Sequence, residues 1–177
     1  LGAGANAGAA LLAQAAVVRN AMLAQLWDPS AGAFHLNPDD PTGNHTQDAQ
    51  VEAVLDGVVT GAQARSALGF ISSHLRTTYG VMNGESNTDP YMSNYISPYI
   101  SSTELLARLA VGDTAGALDL LRREWGRMVN TDPNSTVWEK MSFAGDAATY
   151  SPDQLGTGVI PADAPQAGPG GTSLAHG

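Results

Sequence analysis

The sequence predicts an all-α protein built from helical hairpins. Apolar residues recur every three or four positions in five separate segments, which is the spacing of one face of a helix. No segment alternates apolar and polar residues in the way that a half-buried strand does. Proline, glycine and other turn residues fall between the five segments. Because short connections favour antiparallel neighbours, we expect consecutive helices to pack as hairpins.

The first helix is predicted over Ala5–Trp27, and Asp28-Pro29 ends it with Gly32 in the following turn. Polar residues interrupt the apolar stretch Ala7–Leu26, so we expect a buried helix rather than a membrane span, and no signal peptide. The apolar stripe on this helix consists of Leu11, Ala15, Val18, Met22 and Leu26.

The second and third helices follow a loop that is rich in proline and aspartate. Thr46 can cap the second helix with its hydroxyl group. The third helix is predicted over about Ala62–Leu75. Its apolar stripe consists of Ala64, Leu68, Ile71 and Leu75.

The fourth helix is predicted to open at Ser97-Pro98, a capping hydroxyl followed by proline at the first helical position. It continues to Gly112, and Asp113 or Thr114 caps the fifth helix. Leu105, Leu106 and Leu109 are expected to form the stripe of the fourth helix, and Leu118, Leu121, Trp125 and Met128 that of the fifth. The region after Asn130 is loop-rich, with a short regular segment around Val137–Met141.

The composition excludes several classes of function. The 177 residues include 8 basic and 17 acidic side chains, and the net charge of -9 argues against nucleic-acid partners. The absence of cysteine excludes a disulfide framework and a thiolate metal site. The four histidines are scattered along the chain without ligand spacing, so neither a metal nor a cofactor is expected.

Four segments of the chain carry specific motifs. One contains Ala117–Gly126, which has the pattern Ala-Leu-x-Leu-(Leu/Ile)-Arg-x-x-Trp-Gly, and another is Thr136-Val137-Trp138-Glu139. The four segments are Ile96–Val129, Thr136–Glu139, Thr172–Gly177 and Gly43–Ala49. In these motifs and in their order, the sequence resembles α-L-rhamnosidases, a family of six-hairpin glycosidases.

The resemblance implies part of an (α/α)6 barrel, with residues 1–177 as a fragment of a longer catalytic domain and no separate second domain. It implies inverting hydrolysis of terminal α-L-rhamnose, with Glu139 as the general base and His176 as a sugar-binding residue. Inverting glycosidases place their two carboxyl groups about 6.5–9.5 Å apart. No segment of this chain matches the family's general acid, so the resemblance implies that other polypeptide supplies the acid and the rest of the barrel.

Other residues are candidates by their chemistry. Trp138 beside Glu139 could cover the face of a sugar, or could belong to the core. Tyr91 and Tyr95 could stack on sugar, although core packing explains them equally well. Gln47 and Asp48 at a helix start could bind hydroxyl groups, or could serve as caps.

Two sequence positions fit the glycan acceptor pattern, namely Asn44 and Asn134. They are compatible with a secreted protein.

The alternatives to a rhamnosidase are another (α/α)6 hydrolase or lyase acting on a different sugar, and a non-catalytic helical domain for carbohydrate binding or assembly. Neither nucleic acid nor membrane is expected as a partner.

Overall fold

The computed structural model describes residues 2–40, 42–85, 95–132, 137–143 and 145. Their fold is predominantly helical, as predicted. The helices are α1 (Gly2–Gln25), α2 (Gln47–Leu55), α3 (Gly61–Phe70), α4 (Pro98–Ala110) and α5 (Thr114–Thr131), and a π-helical turn (Ile71–Leu75) continues α3. Helix α2 packs against both α3 and α4, and α4 packs against α5.

The predicted capping residues begin three of the helices. The side chain of Thr46 accepts a hydrogen bond from the backbone N–H of Ala49 at the start of α2. Ser97 caps α4 ahead of Pro98, and Asp113 caps α5. Each side chain satisfies a backbone donor that has no partner within its helix.

The prediction of no strands was wrong for one short hairpin. Strands β1 (Trp27–Asp28) and β2 (Ala33–Phe34) pair antiparallel, with Trp27 opposite Phe34. Two residues per strand are too few to show a period-two pattern. Gly32 adopts a φ of 67° in the connecting turn, a left-handed conformation that favours glycine.

Helix α1 forms where it was predicted, but its expected burial is wrong. Leu11 is 66% exposed and Val18 58% exposed. Among the side chains of α1 whose burial is described, partly buried Met22 and Leu23 contact the core, and Leu26 does so just beyond the helix. By length and composition alone, Ala7–Gln25 could also cross a membrane, a test that core helices and signal sequences pass as well.

The predicted stripe of α3 is confirmed, whereas those of α4 and α5 are right only in part, through Leu105, Trp125 and Met128. All four stripe residues of α3 and its π-helical turn are buried. On α4, Leu106 and Leu109 are 59% and 52% exposed, and on α5, Leu118 and Leu121 are each 42% exposed. The apolar residues that point inward from these two helices include Ala107, Ala117, Leu120 and Met128.

A buried polar network explains why the inner face of α4 is not a leucine stripe. Glu104 is fully buried and accepts hydrogen bonds from Arg108 and, at 2.7 Å, from the side-chain nitrogen of Gln47 on α2. Arg108 also contacts Asp113 at 2.6 Å, which ties the network to the cap of α5. Burial raises the pKa of Glu104, and the nearby guanidinium of Arg108 opposes that rise. The network connects α2, α4 and α5 through charged groups instead of apolar packing.

Glu124 on α5 is a second buried carboxyl group. Glu124 lies in the middle of the helix and is fully buried. Burial raises the pKa of Glu124 from 4.5 to about 8, and the negative charge of Glu104 adds to the rise. Glu124 is therefore protonated and uncharged at neutral pH in the folded chain.

We expect the stability of the fold to depend on pH through Glu124. Between pH 4.5, the ordinary pKa of this group, and about 8, only the folded state retains the proton. Stability therefore falls as the pH rises through this window. The expected loss from Glu124 is about 2 kcal/mol between about pH 5.5 and 7, since one pKa unit corresponds to about 1.4 kcal/mol. Urea unfolding across this range measures it.

Glu124→Gln mimics the protonated acid and should flatten this pH dependence. Glu52→Gln is the matched control, because Glu52 is an exposed glutamate on α2. Equal slopes of unfolding free energy against pH in the wild type and in Glu124→Gln would contradict the assignment.

Candidate functional site

Three of the predicted site residues, Asp48, Tyr95 and Glu139, line one cavity of about 580 Å³. We call this cavity the acidic cleft. Three carboxylate side chains and one lysine lie along it. Its lining consists of Asp48, Glu52, Tyr95, Ser97, Tyr99, Ile100, Thr103, Glu139 and Lys140.

One wall of the acidic cleft is the start of α2. The Thr46 hydroxyl caps this helix and also donates a hydrogen bond to Asp48 Oδ1, which holds the Asp48 side chain in the first turn. Glu52 follows four residues later and therefore lies on the same side of the helix. A helix N-terminus stabilises negative charge, so Asp48 is compatible with this position.

The opposite wall combines the start of α4 with residues 137–143. Ile96 and Met141 exchange two backbone hydrogen bonds of 3.0 and 2.9 Å, and this pairing holds the later segment beside the beginning of α4. Glu139 and Lys140 are thereby brought next to Tyr95. The predicted regular segment around Val137–Met141 contributes only this isolated bridge among its described residues.

Charges interact across the acidic cleft. The pKa of Tyr95 is raised by burial first, and then by the negative charges of Asp48 and Glu139. Lys140 Nζ lies 4.7 Å from the centre of the Tyr95 ring, within cation–π range. Burial lowers the pKa of Lys140, while Glu139 opposes that change. Tyr95 therefore interacts electrostatically with Asp48, Glu139 and Lys140.

The acidic cleft combines an aromatic surface with groups that can bind hydroxyl groups and move protons. Tyr95 and Tyr99 offer aromatic rings, and Tyr99 is 68% exposed. Ser97 and Thr103 carry hydroxyl groups, and Glu139 can accept a proton from water when ionised. Such a combination fits a sugar, which presents both C–H surfaces and hydroxyl groups.

Two predicted site residues lie in the interior and not along the acidic cleft. Trp138 is 7% exposed and packs with Ile96, Met128 and Met141, so the alternative interpretation as a core residue describes it. Its indole nitrogen donates a hydrogen bond to Asp132 Oδ2 at 3.0 Å. Gln47 is fully buried and bonded to Glu104. The reason is the same for both. Asp48 follows Gln47 and Glu139 follows Trp138, and in each pair the second side chain faces the acidic cleft while the first points into the interior.

The other predicted residues divide into two groups. Tyr91, Asn134 and His176 lie outside the described residues. Asn44 is only 2% exposed, and its Oδ1 accepts a hydrogen bond from the backbone N–H of Glu85 at 3.0 Å. A glycan requires an exposed amide, so the structure argues against Asn44 as an acceptor.

Two of the histidines that are scattered in the sequence come together in the structure. One ligand atom each from Asp28, His35 and His45 lies within 4.8 Å of the others. The side chain of Asp28 is oriented by Ser30, whose hydroxyl hydrogen bond is the main cause lowering the pKa of Asp28 to about 2. We call these three residues the histidine cluster. Sequence spacing did not reveal the histidine cluster, because its residues meet only after folding. The hairpin brings Asp28 and His35 together, and a backbone bridge pairs His35 with His45, ten residues later.

Glu52, Ser97, Thr103 and Lys140 were not predicted as site residues. Glu52 could have been found, because it follows Asp48 by one helical turn. Lys140 follows Glu139 directly, but only the pairing of Ile96 with Met141 shows that both side chains meet Tyr95. Ser97 was recognised solely as a cap.

Comparison with known proteins supports the fold. No family model matches the sequence, and no curated protein matches it. Among solved structures, a rhamnosidase from Klebsiella oxytoca with rhamnose bound is similar in fold, with a TM-score of 0.51 and 20% sequence identity. The similarity covers 89% of this chain and 23% of that chain. The described chain therefore has the all-α architecture of one part of a rhamnosidase, as predicted, and spans less than a quarter of that protein's length.

Proposed function

We propose that this chain is part of the catalytic domain of a glycoside hydrolase that removes terminal α-L-rhamnose with inversion. The observation that carries the proposal is the position of Glu139 in the acidic cleft, which is also lined by residues from the starts of α2 and α4. The fold shared with part of a rhamnosidase supports the choice of substrate class.

In this proposal the ionised carboxylate of Glu139 takes a proton from a water molecule. That water attacks the anomeric carbon on the face opposite the leaving group, while a protonated carboxylic acid donates its proton to the departing oxygen. The acid comes from polypeptide outside the chain. Tyr95 and Tyr99 would cover the C–H surface of the sugar, and Asp48 would accept hydrogen bonds from its hydroxyl groups.

A panel of aryl glycosides tests the proposal on the protein that carries this chain. We expect hydrolysis of the α-L-rhamnoside with release of the inverted anomer, and loss of that activity in Glu139→Gln. Hydrolysis of a different glycoside instead would support another sugar hydrolase on the same fold. Rhamnose binding without any hydrolysis would favour a non-catalytic carbohydrate-binding domain.

We further propose that the remaining hairpins of an (α/α)6 barrel pack against this chain, from the same polypeptide or a companion chain. Leu11, Leu12, Val17 and Val18 on α1 are each more than half exposed. Such continuous exposed apolar surface is typical of an interface. The chain covers only 23% of the similar rhamnosidase, which supports the proposal that the remaining hairpins cover this apolar surface. A secreted location fits this reading and is part of the proposal.

We expect the isolated 177-residue chain to be poorly soluble or molten, because its outward leucines and valines would meet water. Binding of a hydrophobic dye together with a broad thermal transition would support this. A sharp cooperative melt of the isolated chain, without dye binding, would contradict the interface.

A further inference from the structure

The histidine cluster is built from three separate parts of the chain. Asp28 belongs to β1, His35 directly follows β2, and His45 directly precedes Thr46, the cap of α2. His35 and His45 pair in an antiparallel bridge, which places their side chains next to each other. Their rings stack with centres 4.6 Å apart and planes inclined by 28°. The hairpin and the start of α2 therefore meet at these three side chains.

Hydrogen bonds at the Nδ1 atoms define how the two imidazoles are oriented. His35 Nδ1 lies 3.2 Å from the carbonyl oxygen of Gly43, and His45 Nδ1 lies 2.6 Å from Glu85 Oε2. A carbonyl and a carboxylate can only accept, so both Nδ1 atoms carry hydrogen. In each neutral imidazole, the lone pair is then on Nε2. Metal-binding histidines are oriented in this way, with the second nitrogen donating to a carboxylate or a backbone carbonyl.

The free oxygen of Asp28 lies between the two Nε2 atoms. Asp28 Oδ1 accepts hydrogen bonds from the backbone nitrogen and the hydroxyl of Ser30, at 2.8 and 2.6 Å. Its Oδ2 lies 3.5 Å from His45 Nε2 and 3.9 Å from His35 Nε2. A charge-assisted hydrogen bond would be shorter, about 2.7–2.9 Å. All three residues thus place an atom that can bind a metal ion within one small region.

His45 Nε2 needs a partner that the described residues do not supply. His45 is 7% exposed, and Phe70 packs on its ring with centres 4.8 Å apart. Within the described part of the chain, His45 Nε2 is buried without a hydrogen-bond partner. Burying an imidazole nitrogen in this state is unfavourable, because the nitrogen loses its hydrogen bond to water. A group bound between the three side chains would remove that cost.

We propose that Asp28 Oδ2, His35 Nε2 and His45 Nε2 form a binding site for a divalent transition-metal ion of the zinc type. Tetrahedral zinc binds nitrogen and oxygen at about 2.0–2.1 Å, so its ligands lie about 3.4 Å from one another. Asp28 Oδ2 lies 3.5 and 3.9 Å from the two Nε2 atoms, and all three ligand atoms lie within 4.8 Å of one another, so binding would draw the side chains together. Glu85 and Gly43 would hold the imidazoles in place.

The ligand set determines which ion the site would take. Two imidazoles and one carboxylate suit zinc, cobalt or nickel, whereas calcium and magnesium require mostly oxygen ligands. The side chains of His35 and Asp28 are 31% and 19% exposed, which gives the ion a path from solvent. A fourth position would be taken by water. The bound ion would fasten the hairpin to the start of α2, and this inference does not depend on the proposed sugar chemistry.

Zinc titration of the protein that carries this chain tests the site, with cobalt absorption as a second readout. His45→Ala and His35→Ala should each lose one equivalent of bound zinc. Glu85→Gln should weaken zinc binding by about 10–100-fold, because it removes only the carboxylate partner of His45. Zinc should also raise the Tm of the wild type and not that of His35→Ala.

His74→Ala is the matched control, because His74 is exposed and lies outside the histidine cluster. It should bind zinc as the wild type does. His35 is the more exposed of the two ligands, so its replacement disturbs the fold less. His35→Ala therefore still tests the site if His45→Ala does not fold. Unchanged zinc stoichiometry in both His45→Ala and His35→Ala, or displacement of zinc by millimolar calcium, would overturn the proposal.

Discussion

Glu139→Gln should lower the kcat of glycoside hydrolysis by about 100- to 10,000-fold, the contribution typical of a general acid or base. The substitution keeps the size of the side chain and removes only its ability to take a proton from water. The KM should change little, because glutamine still hydrogen-bonds through its amide. The acid-side limb of the pH profile of kcat, which reports the general base, should also disappear.

A rescue experiment distinguishes a missing base from a damaged cleft. Azide is an anionic nucleophile that needs no deprotonation, so it should restore part of the turnover of Glu139→Gln and yield a glycosyl azide. Asp56→Asn is the control, since Asp56 is an exposed carboxylate at the end of α2 and does not line the acidic cleft. If Glu139→Gln retains turnover within a few-fold of the wild type, Glu139 is not the base.

Arg108→Ala should lower the free energy of unfolding by about 3–5 kcal/mol, measured by urea denaturation of the protein that carries this chain. The loss arises because Glu104, which is fully buried, would lose its guanidinium partner and would have to stay charged without it or take up a proton. Asp113 would also lose its 2.6 Å contact with Arg108, which weakens the connection from α4 to the cap of α5.

Two further variants test this explanation. Glu104→Gln combined with Arg108→Met removes both charges and should recover part of the stability, because no unpaired charge remains. Arg76→Ala is the matched control, since its pair with Asp119 is about half exposed (44% and 43%) and should contribute less than about 1 kcal/mol. Equal losses in Arg108→Ala and Arg76→Ala would show that burial of the pair is not the cause.

The helices were predictable because their signals are local. Capping by Thr46 and Ser97 depends on a few neighbouring residues, and so does termination of α1 near Asp28-Pro29. The stripe of α3 was also predicted correctly. The face of α4 was not, because only the partners of Glu104 and Arg108 in other parts of the chain show that these charged residues are buried, and the face of α5 was predicted in part, through Trp125 and Met128.

The candidate site was predictable only in part. The family resemblance selected Glu139, and the structure brings Glu139 together with Asp48 and Tyr95 in one cavity. Residue chemistry alone could not separate Glu139 from Trp138, its neighbour in the chain. One faces the acidic cleft and the other the core, because Ile96 pairs with Met141 and holds the segment in one orientation.

The positions of the helices follow from the sequence, since caps, prolines and apolar spacing act within a few residues. Which charged groups are buried, and which polar groups meet, depends on contacts in the folded chain. His35 and His45 illustrate the difference. Their spacing in the sequence suggests no metal site, yet the short hairpin and one backbone bridge bring their rings into a stack beside Asp28. Burial and ligand geometry depend on contacts between distant segments, and no local pattern encodes them.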